Sequence, residues 1–189
     1  MIRIGVLGDI GSGKSHVAKL FGFPVFDADK EVARLYIKSR NCYKKLKKKL
    51  PEYIVSFPVK KNEISKAILD NKKNLKKIVQ IIHPEIRFKM NKFIKKNRGK
   101  KIVILDIPLL LENKINKKND ILIFINAKKK EINKRLTKRH SVSLKIVKEL
   151  KKLQLPLELK RGKADFVIEN NFNNNFVKKN VKKVLKKIL

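Results

Sequence analysis

The sequence predicts an α/β fold in three layers, with a five-stranded parallel sheet between helices. Three observations lead there. Five short, continuously apolar runs fall at about residues 2–7, 24–27, 102–106, 121–125 and 165–168. Runs of that length, apolar on both sides, suit strands buried on both faces. Segments with helical spacing of apolar residues separate them, so the strands are joined by crossovers and lie parallel. Between the first strand and the first helix stands Gly8-Asp9-Ile10-Gly11-Ser12-Gly13-Lys14-Ser15, which fits G-x-x-x-x-G-K-[ST]. Strand, glycine loop and helix in that order predict the P-loop NTPase class.

The elements follow in order. Ile2 to Leu7 is an apolar run stopped by glycine, hence a buried strand. His16 to Phe21 continues in helical pattern, with the helix starting near Lys14. Pro24-Val25-Phe26 is the second strand and runs into Asp27-Ala28-Asp29. From Lys30 to Lys96 the pattern is helical. Val32, Leu35 and Tyr36 share one face, as do Ile64, Ala67 and Ile68, and then Leu75, Ile78, Val79 and Ile82. Pro51 and Pro58 punctuate this stretch, Pro84 is expected to begin a new helix after His83, and Gly99 closes the segment. Ile102 to Asp106 and Ile121 to Ile125 restore strand character. Lys128 to Gln154 is helical and very basic, Asp165 to Ile168 is the last strand, and Val177 to Leu189 is a closing amphipathic helix led by Val181, Val184, Leu185 and Ile188.

At 189 residues and 22.0 kDa the chain has room for one domain with embedded subdomains. Its 42% hydrophobic content excludes wholesale disorder. No apolar run approaches the roughly 20 residues of a membrane span, and the opening Met1 to Val6 is too short for a secretory signal. Cys42 is the single cysteine, which excludes a disulfide framework or cysteine-rich zinc site. The expectation is a cytoplasmic monomer. The charge is extreme: Lys+Arg is 50 against Asp+Glu 16, a net +34. One reading is an anionic partner. The other is compositional drift, because lysine, asparagine and isoleucine share A/T-rich codons. The lysines are spread along the whole chain instead of forming one block, which favours drift.

The chemistry concentrates in a few places. In the P-loop, glycines let successive backbone N–H groups point inward at phosphate oxygens. Lys14 is expected to stand exposed at the sheet's carboxyl edge and reach the β- and γ-phosphates, while the Ser15 hydroxyl ligates Mg²⁺. This establishes binding of a nucleoside triphosphate. Asp27 and Asp29 lie at the carboxyl end of the second strand, where open α/β sheets bind ligands. A carboxylate there can take a proton from an attacking hydroxyl or hold water on Mg²⁺; equally, Asp29 can cap the following helix. Asp106 ends the third strand and is a candidate second metal-binding acid, or else a solvated loop acid. Arg135 and Arg139 are one turn apart on a basic helix, and their guanidinium forks suit phosphates. The alternative is a solvated face among Lys134, Lys138 and their neighbours. His140 to Ser143 is a candidate hinge. His83 before Pro84 reads first as a helix-start element, and Cys42 as structural.

Taken together these pieces resemble dephospho-coenzyme A kinase, along almost the whole chain and in order. Ile4 to Ser15 looks like the family's opening. Gly22 with Val25-Phe26-Asp27-Ala28-Asp29 looks like its substrate-side motif. His83-Pro84-Glu85-Ile86-Arg87 resembles its His-Pro element, and Pro108-Leu109-Leu110-Leu111-Glu112 its Pro-Leu-Leu-aromatic-Glu element. Arg135 and Arg139 fall where the family has lid arginines. Gln154 and Ala164 to Asn170 match its late pattern. Three departures stand out: Leu7-Gly8-Asp9 where the family usually has Thr-Gly-Gly, His16 where it often has Thr, and Leu111 in place of the aromatic. Asp9 adds negative charge near the phosphate site, and Leu7 and Asp9 are expected to lower nucleotide affinity, although neither removes Gly11, Gly13, Lys14 or Ser15.

The resemblance implies ATP-dependent phosphorylation of the ribose 3′-hydroxyl of dephospho-CoA, with Mg²⁺ and ATP. It implies Asp29, Lys14 and Arg139 as catalytic residues. Gly8, Gly11, Ser12, Gly13, Lys14, Ser15, His16, Arg135 and Arg139 would bind ATP. Asp27, Asp29, His83, Arg87, Pro108 and Leu109 would bind the acceptor, and Ser15 and Asp106 the metal. The core would be 1–29, 99–127 and 155–189, the acceptor-substrate subdomain 30–98, and the lid 128–154. Nucleic acid is not expected as a partner, since aromatic-rich binding modules are missing from the sequence. The competing readings are a nucleoside or nucleotide kinase on the same scaffold, and a non-catalytic basic nucleotide- or nucleic-acid-binding P-loop protein.

Overall fold

The computed structural model describes residues 1–138 and 143–189. Among them are five strands and nine helices. They are β1 (Ile2–Gly8), α1 (Lys14–Leu20), β2 (Val25–Asp27), α2 (Ala28–Lys38), α3 (Arg40–Lys49), α4 (Lys61–Asp70), α5 (Lys72–Lys96), β3 (Ile102–Asp106), β4 (Ile121–Asn126), α6 (Lys129–Lys138), α7 (Leu144–Lys151), α8 (Leu157–Gly162), β5 (Phe166–Glu169) and α9 (Asn174–Ile188). The chain divides into two compact units: residues 1–27 with 97–189, and residues 28–96.

The first unit is built on the sheet, ordered β2-β3-β1-β4-β5 with every pair parallel. The period of two along each strand assigns the faces. Ile4 and Val6, Ile102 and Ile104, Ile123 and Ile125, and Ile168 meet Val17, Ala18 and Phe21 of α1 and Val177, Val181 and Val184 of α9 in one buried core. The alternate residues Leu7, Val103, Leu105, Leu122 and Phe124 are buried as well. Helix α8 packs on β1. Burial on both faces is why the strands read as continuous apolar runs. A smaller cluster joins Ile132 and Leu136 of α6 to Val147 of α7, with Ile10, Ala127 and Phe172 against it.

A buried ion pair ties the loop after β3 to the segment after α7. Lys160 Nζ lies 2.6 Å from Glu112 Oε1, and the Lys160 side chain is 1% exposed. The same oxygen accepts from the Leu155 amide at 2.9 Å. Removing the cation strands a buried carboxylate, so Lys160→Met is expected to cost about 3–5 kcal/mol. Adding Glu112→Gln to Lys160→Met should recover much of that loss. Urea denaturation of the two variants measures both; an equal loss in the double variant would mean that packing, not charge, is what Lys160 provides.

The second unit is helical. α5 is its spine, with α2, α3 and α4 packed against it. Leu75, Ile78, Ile82, Ile86 and Met90 form its buried stripe. This corrects one expectation: Pro84 does not start a helix but lies inside α5. A proline mid-helix forfeits a backbone hydrogen bond. The apolar stripe continues on both sides of it, and that packing keeps the helix in one piece. Ser39 caps α3, its hydroxyl accepting from the Cys42 amide at 3.1 Å. Cys42 is fully buried, and burial pushes its thiol up to about 11, in keeping with a structural role.

Candidate functional site

The glycine loop runs from the end of β1 to the start of α1. Gly8 has φ 145° and Gly13 φ 88°, backbone that L-residues rarely adopt. A Cβ at Gly8 would stand 2.7 Å from the Ile125 carbonyl oxygen, and one at Gly13 would overlap the Asn170 amide. Both glycines are therefore required by close approach as well as by φ. Asn170, 3% exposed just after β5, donates from Nδ2 to the Ser12 carbonyl at 2.8 Å and accepts from the Phe172 amide at 2.9 Å. It locks the loop to the far side of the sheet. Ser12 Oγ is buried and has no hydrogen-bond partner among the described residues.

Lys14 differs from expectation. It is buried, 8% exposed, with Nζ donating to the Asp9 carbonyl at 2.8 Å and the Gly8 carbonyl at 3.2 Å. The reason is solvation. An ammonium enclosed by the loop needs acceptors, and the carbonyls at the loop's own entrance supply them. Ser15 and His16 are exposed on the first turn of α1. His16 Nε2 is 3.2 Å from Asn174 Oδ1, which holds its ring toward the start of α9.

The sheet brings two acids together. Asp27 and Asp106 are register partners across the parallel β2–β3 pair, at its carboxyl end. Neighbouring strands are about 4.8 Å apart, so the two carboxylates leave adjacent backbones on one face. Asp106 is 3% exposed, which excludes the solvated loop acid. Asp29 is exposed and belongs to the second unit. It is not the helix cap: α2 already begins at Ala28, placing Asp29 in the first turn, where the helix dipole favours an acid. His83 and Arg87 are one turn apart on α5, the first half-buried, the second exposed. Pro108 and Leu109 are half-buried in the turn after β3, and the Leu109 carbonyl accepts from Asn113 Nδ2 at 2.9 Å.

Arg135 is exposed on α6, its guanidinium 4.4 Å above the centre of the Phe172 ring. Stacking of this kind holds the planar fork in place. Arg139, with His140 to Val142 of the expected hinge, lies outside the described residues.

The residues present fit Mg²⁺ bound together with a nucleotide. No group of three or more His, Cys, Asp or Glu side chains gathers into a metal cage among the described residues. Mg²⁺ does not need one, because it takes one or two protein oxygens and fills its shell with water and phosphate. Ser15 and Asp106 are oxygen donors of that kind.

One residue at the loop carries no local signal: Lys151, whose Nζ lies 2.8 Å from Asp9 Oδ2, is a lysine in a chain with 50 basic residues, and nothing in its spacing marks it. Asn170 is visible only as part of the late Ala-Asp…Asn pattern.

Comparison with known proteins gives a consistent result. The family model described as dephospho-CoA kinase matches residues 2–175. A dephospho-CoA kinase from Wolbachia sp. subsp. Brugia malayi is 34% identical over 173 residues, covering 89% of this chain and 88% of that one. The dephospho-CoA kinase of Bartonella henselae is 35% identical over 171 residues, covering 88% and 87%. Among solved structures, TT1252 from Thermus thermophilus superposes with a TM-score of 0.81 at 29% identity, covering 100% of this chain and 97% of that one.

Proposed function

The chain belongs to the dephospho-CoA kinase family, and on that premise we propose how its residues divide the transfer of a phosphoryl group from ATP to the ribose 3′-hydroxyl of dephospho-CoA. The observation that supports this most is the shared sheet edge. The glycine loop with its buried lysine follows β1, and the Asp27–Asp106 pair closes β2 and β3 beside it.

The loop from Gly8 through Gly11, Ser12 and Gly13 cradles the phosphates with backbone N–H groups. Lys14 is the ammonium that meets the β- and γ-phosphates. Ser15 and Asp106 would hold Mg²⁺, which when bound with ATP would neutralise charge on the transferring group. His16 flanks the nucleotide. Asp29 takes the proton from the 3′-hydroxyl as its oxygen attacks the γ-phosphorus, and ADP leaves with the electrons of the broken P–O bond. Asp27, His83, Arg87, Pro108 and Leu109 position the acceptor, with residues 30–98 as its subdomain. Segment 128–154 is the lid that excludes water, so that ATP is not merely hydrolysed. The reaction is cytoplasmic and needs one copy of the chain.

Arg135 and Arg139 supply guanidinium groups to the phosphates. Arg139→Ala is expected to lower kcat by about 10²-fold, the loss of one pre-organised donor. Lys134→Ala and Lys138→Ala should change little at physiological salt, where the Debye length is about 8 Å, and should slow substrate capture only at low salt. Steady-state kinetics at two ionic strengths separates them. Equal losses in all three variants would make the lid a source of bulk charge only.

The decisive experiment for the function is coupled ADP release with a panel of acceptors. Release with dephospho-CoA and not with nucleosides or nucleotides is expected. The reverse pattern would move the chain to the nucleoside-kinase reading.

A further inference from the structure

Asp9, the residue after Gly8 in the glycine loop, holds two ammonium groups at once. Its backbone carbonyl accepts from Lys14 Nζ at 2.8 Å. Its carboxylate Oδ2 accepts from Lys151 Nζ, also at 2.8 Å. The other carboxylate oxygen, Oδ1, accepts from the Ile10 amide at 2.6 Å, which fixes the side chain's direction. Asp9 itself is 9% exposed. Lys151 is therefore brought to the phosphate loop, one residue's span from the P-loop lysine, although it lies 142 positions away in sequence.

This placement is built into the fold. Lys151 is the last residue of α7, where the helix dipole favours a cation. Val147, one turn earlier, is buried against Ile132 and Leu136, with Ile10 of the loop packed on the same cluster. The backbone of Lys151 is thus held by apolar packing that includes the loop it reaches. The ion pair is partly shielded, with side-chain exposures of 12% for Asp9 and 39% for Lys151.

The charges decide what the pair can do. A lone carboxylate in a phosphate loop repels a polyanion. Paired with Lys151 it is neutralised, and the ammonium carries three donors. One of them meets Asp9, the single hydrogen-bond partner of Lys151 Nζ among the described residues; the other two can meet phosphate oxygens. We propose that Lys151 is a phosphate-binding residue for the nucleotide, and that Asp9 is the positioning residue that presents it. Asp9 then compensates for its own charge by recruiting a second cation to the loop. The proposal rests on the loop being the ATP site, but not on which acceptor is phosphorylated.

The test is direct binding by calorimetry, with no acceptor present, using ATP with Mg²⁺, ADP with Mg²⁺, and adenosine. Lys151→Ala should raise the Kd for ATP roughly tenfold, the usual worth of a hydrogen bond to a charged group. It should leave adenosine unchanged, a selectivity that a purely structural defect would not produce. Lys151→Arg should retain most of the affinity. Asp9→Asn should weaken ATP binding severalfold, yet add nothing when Lys151 is already alanine. Lys148→Ala, an exposed lysine on the same helix, controls for net charge. The proposal is overturned if Lys151→Ala weakens ATP no more than Lys148→Ala does. It is also overturned if Asp9→Asn tightens ATP binding, since the pair would then compete with phosphate. Failure of dephospho-CoA as acceptor, with ATP bound normally, would count against the assigned reaction and leave Lys151 in place.

Discussion

Replacing Lys14 by alanine is expected to lower kcat/KM by about 10³-fold or more, because the transferring phosphoryl group loses a pre-organised cation at the place where charge shifts during transfer. The fold should survive. Lys14 Nζ satisfies the Gly8 and Asp9 carbonyls, and leaving such acceptors bare costs about 1–3 kcal/mol. Domains of this kind have roughly 5–15 kcal/mol in hand. The variant should therefore show a native circular dichroism spectrum and a modestly lowered melting temperature, with almost no phosphorylation. Near-wild-type turnover would remove Lys14 from the mechanism. Lys14→Arg provides the second measurement: it keeps the charge but not the fit inside the loop, and should recover stability better than it recovers rate.

The second large effect is expected at Asp29. Asp29→Asn keeps size and polarity but cannot take a proton, so kcat should fall by about 10²–10⁴-fold. Binding of ATP should hardly change, because the glycine loop proposed to hold the nucleotide belongs to the other unit. The result to look for is a kcat loss with KM for ATP near its original value. Asp27 is the comparison. Its register partner is Asp106, and Asp27→Asn should disturb that acid pair more than proton removal. If Asp27→Asn gives the larger kcat loss, the two aspartates exchange roles. Since Asp29 lies exposed in the first turn of α2, its replacement should cost little stability.

Some of this molecule is written locally in its sequence. The five strands fall within a residue or two of the apolar runs; the inner strands β3, β1 and β4 are buried on both faces and so are apolar at nearly every position, whereas the edge strands β2 and β5 are only part-buried and show as shorter runs. The glycine loop is legible for a similar reason: the backbone angles at Gly8 and Gly13, and the space beside them, admit no side chain. Helix α9 shows its face through Val177, Val181 and Val184, at the spacing that one-sided burial demands.

What only the tertiary structure decided concerns partners far apart in the chain. The order β2-β3-β1-β4-β5 inserts β3 between the first two strands, and it is this pairing that sets Asp27 beside Asp106. Pro84 looked like a helix start, but the buried stripe of α5 on both sides of it outweighs one missing hydrogen bond. Lys14 looked exposed because its motif says nothing of solvation, and enclosure turned its ammonium onto the loop's carbonyls. Lys160 under Glu112 and Lys151 on Asp9 are two lysines among 50 basic residues, identical to their neighbours until packing brings a carboxylate to each. Apolar periodicity reports a residue's relation to its own helix or strand. A charge acquires its meaning from the group it faces, and that group is chosen by the fold.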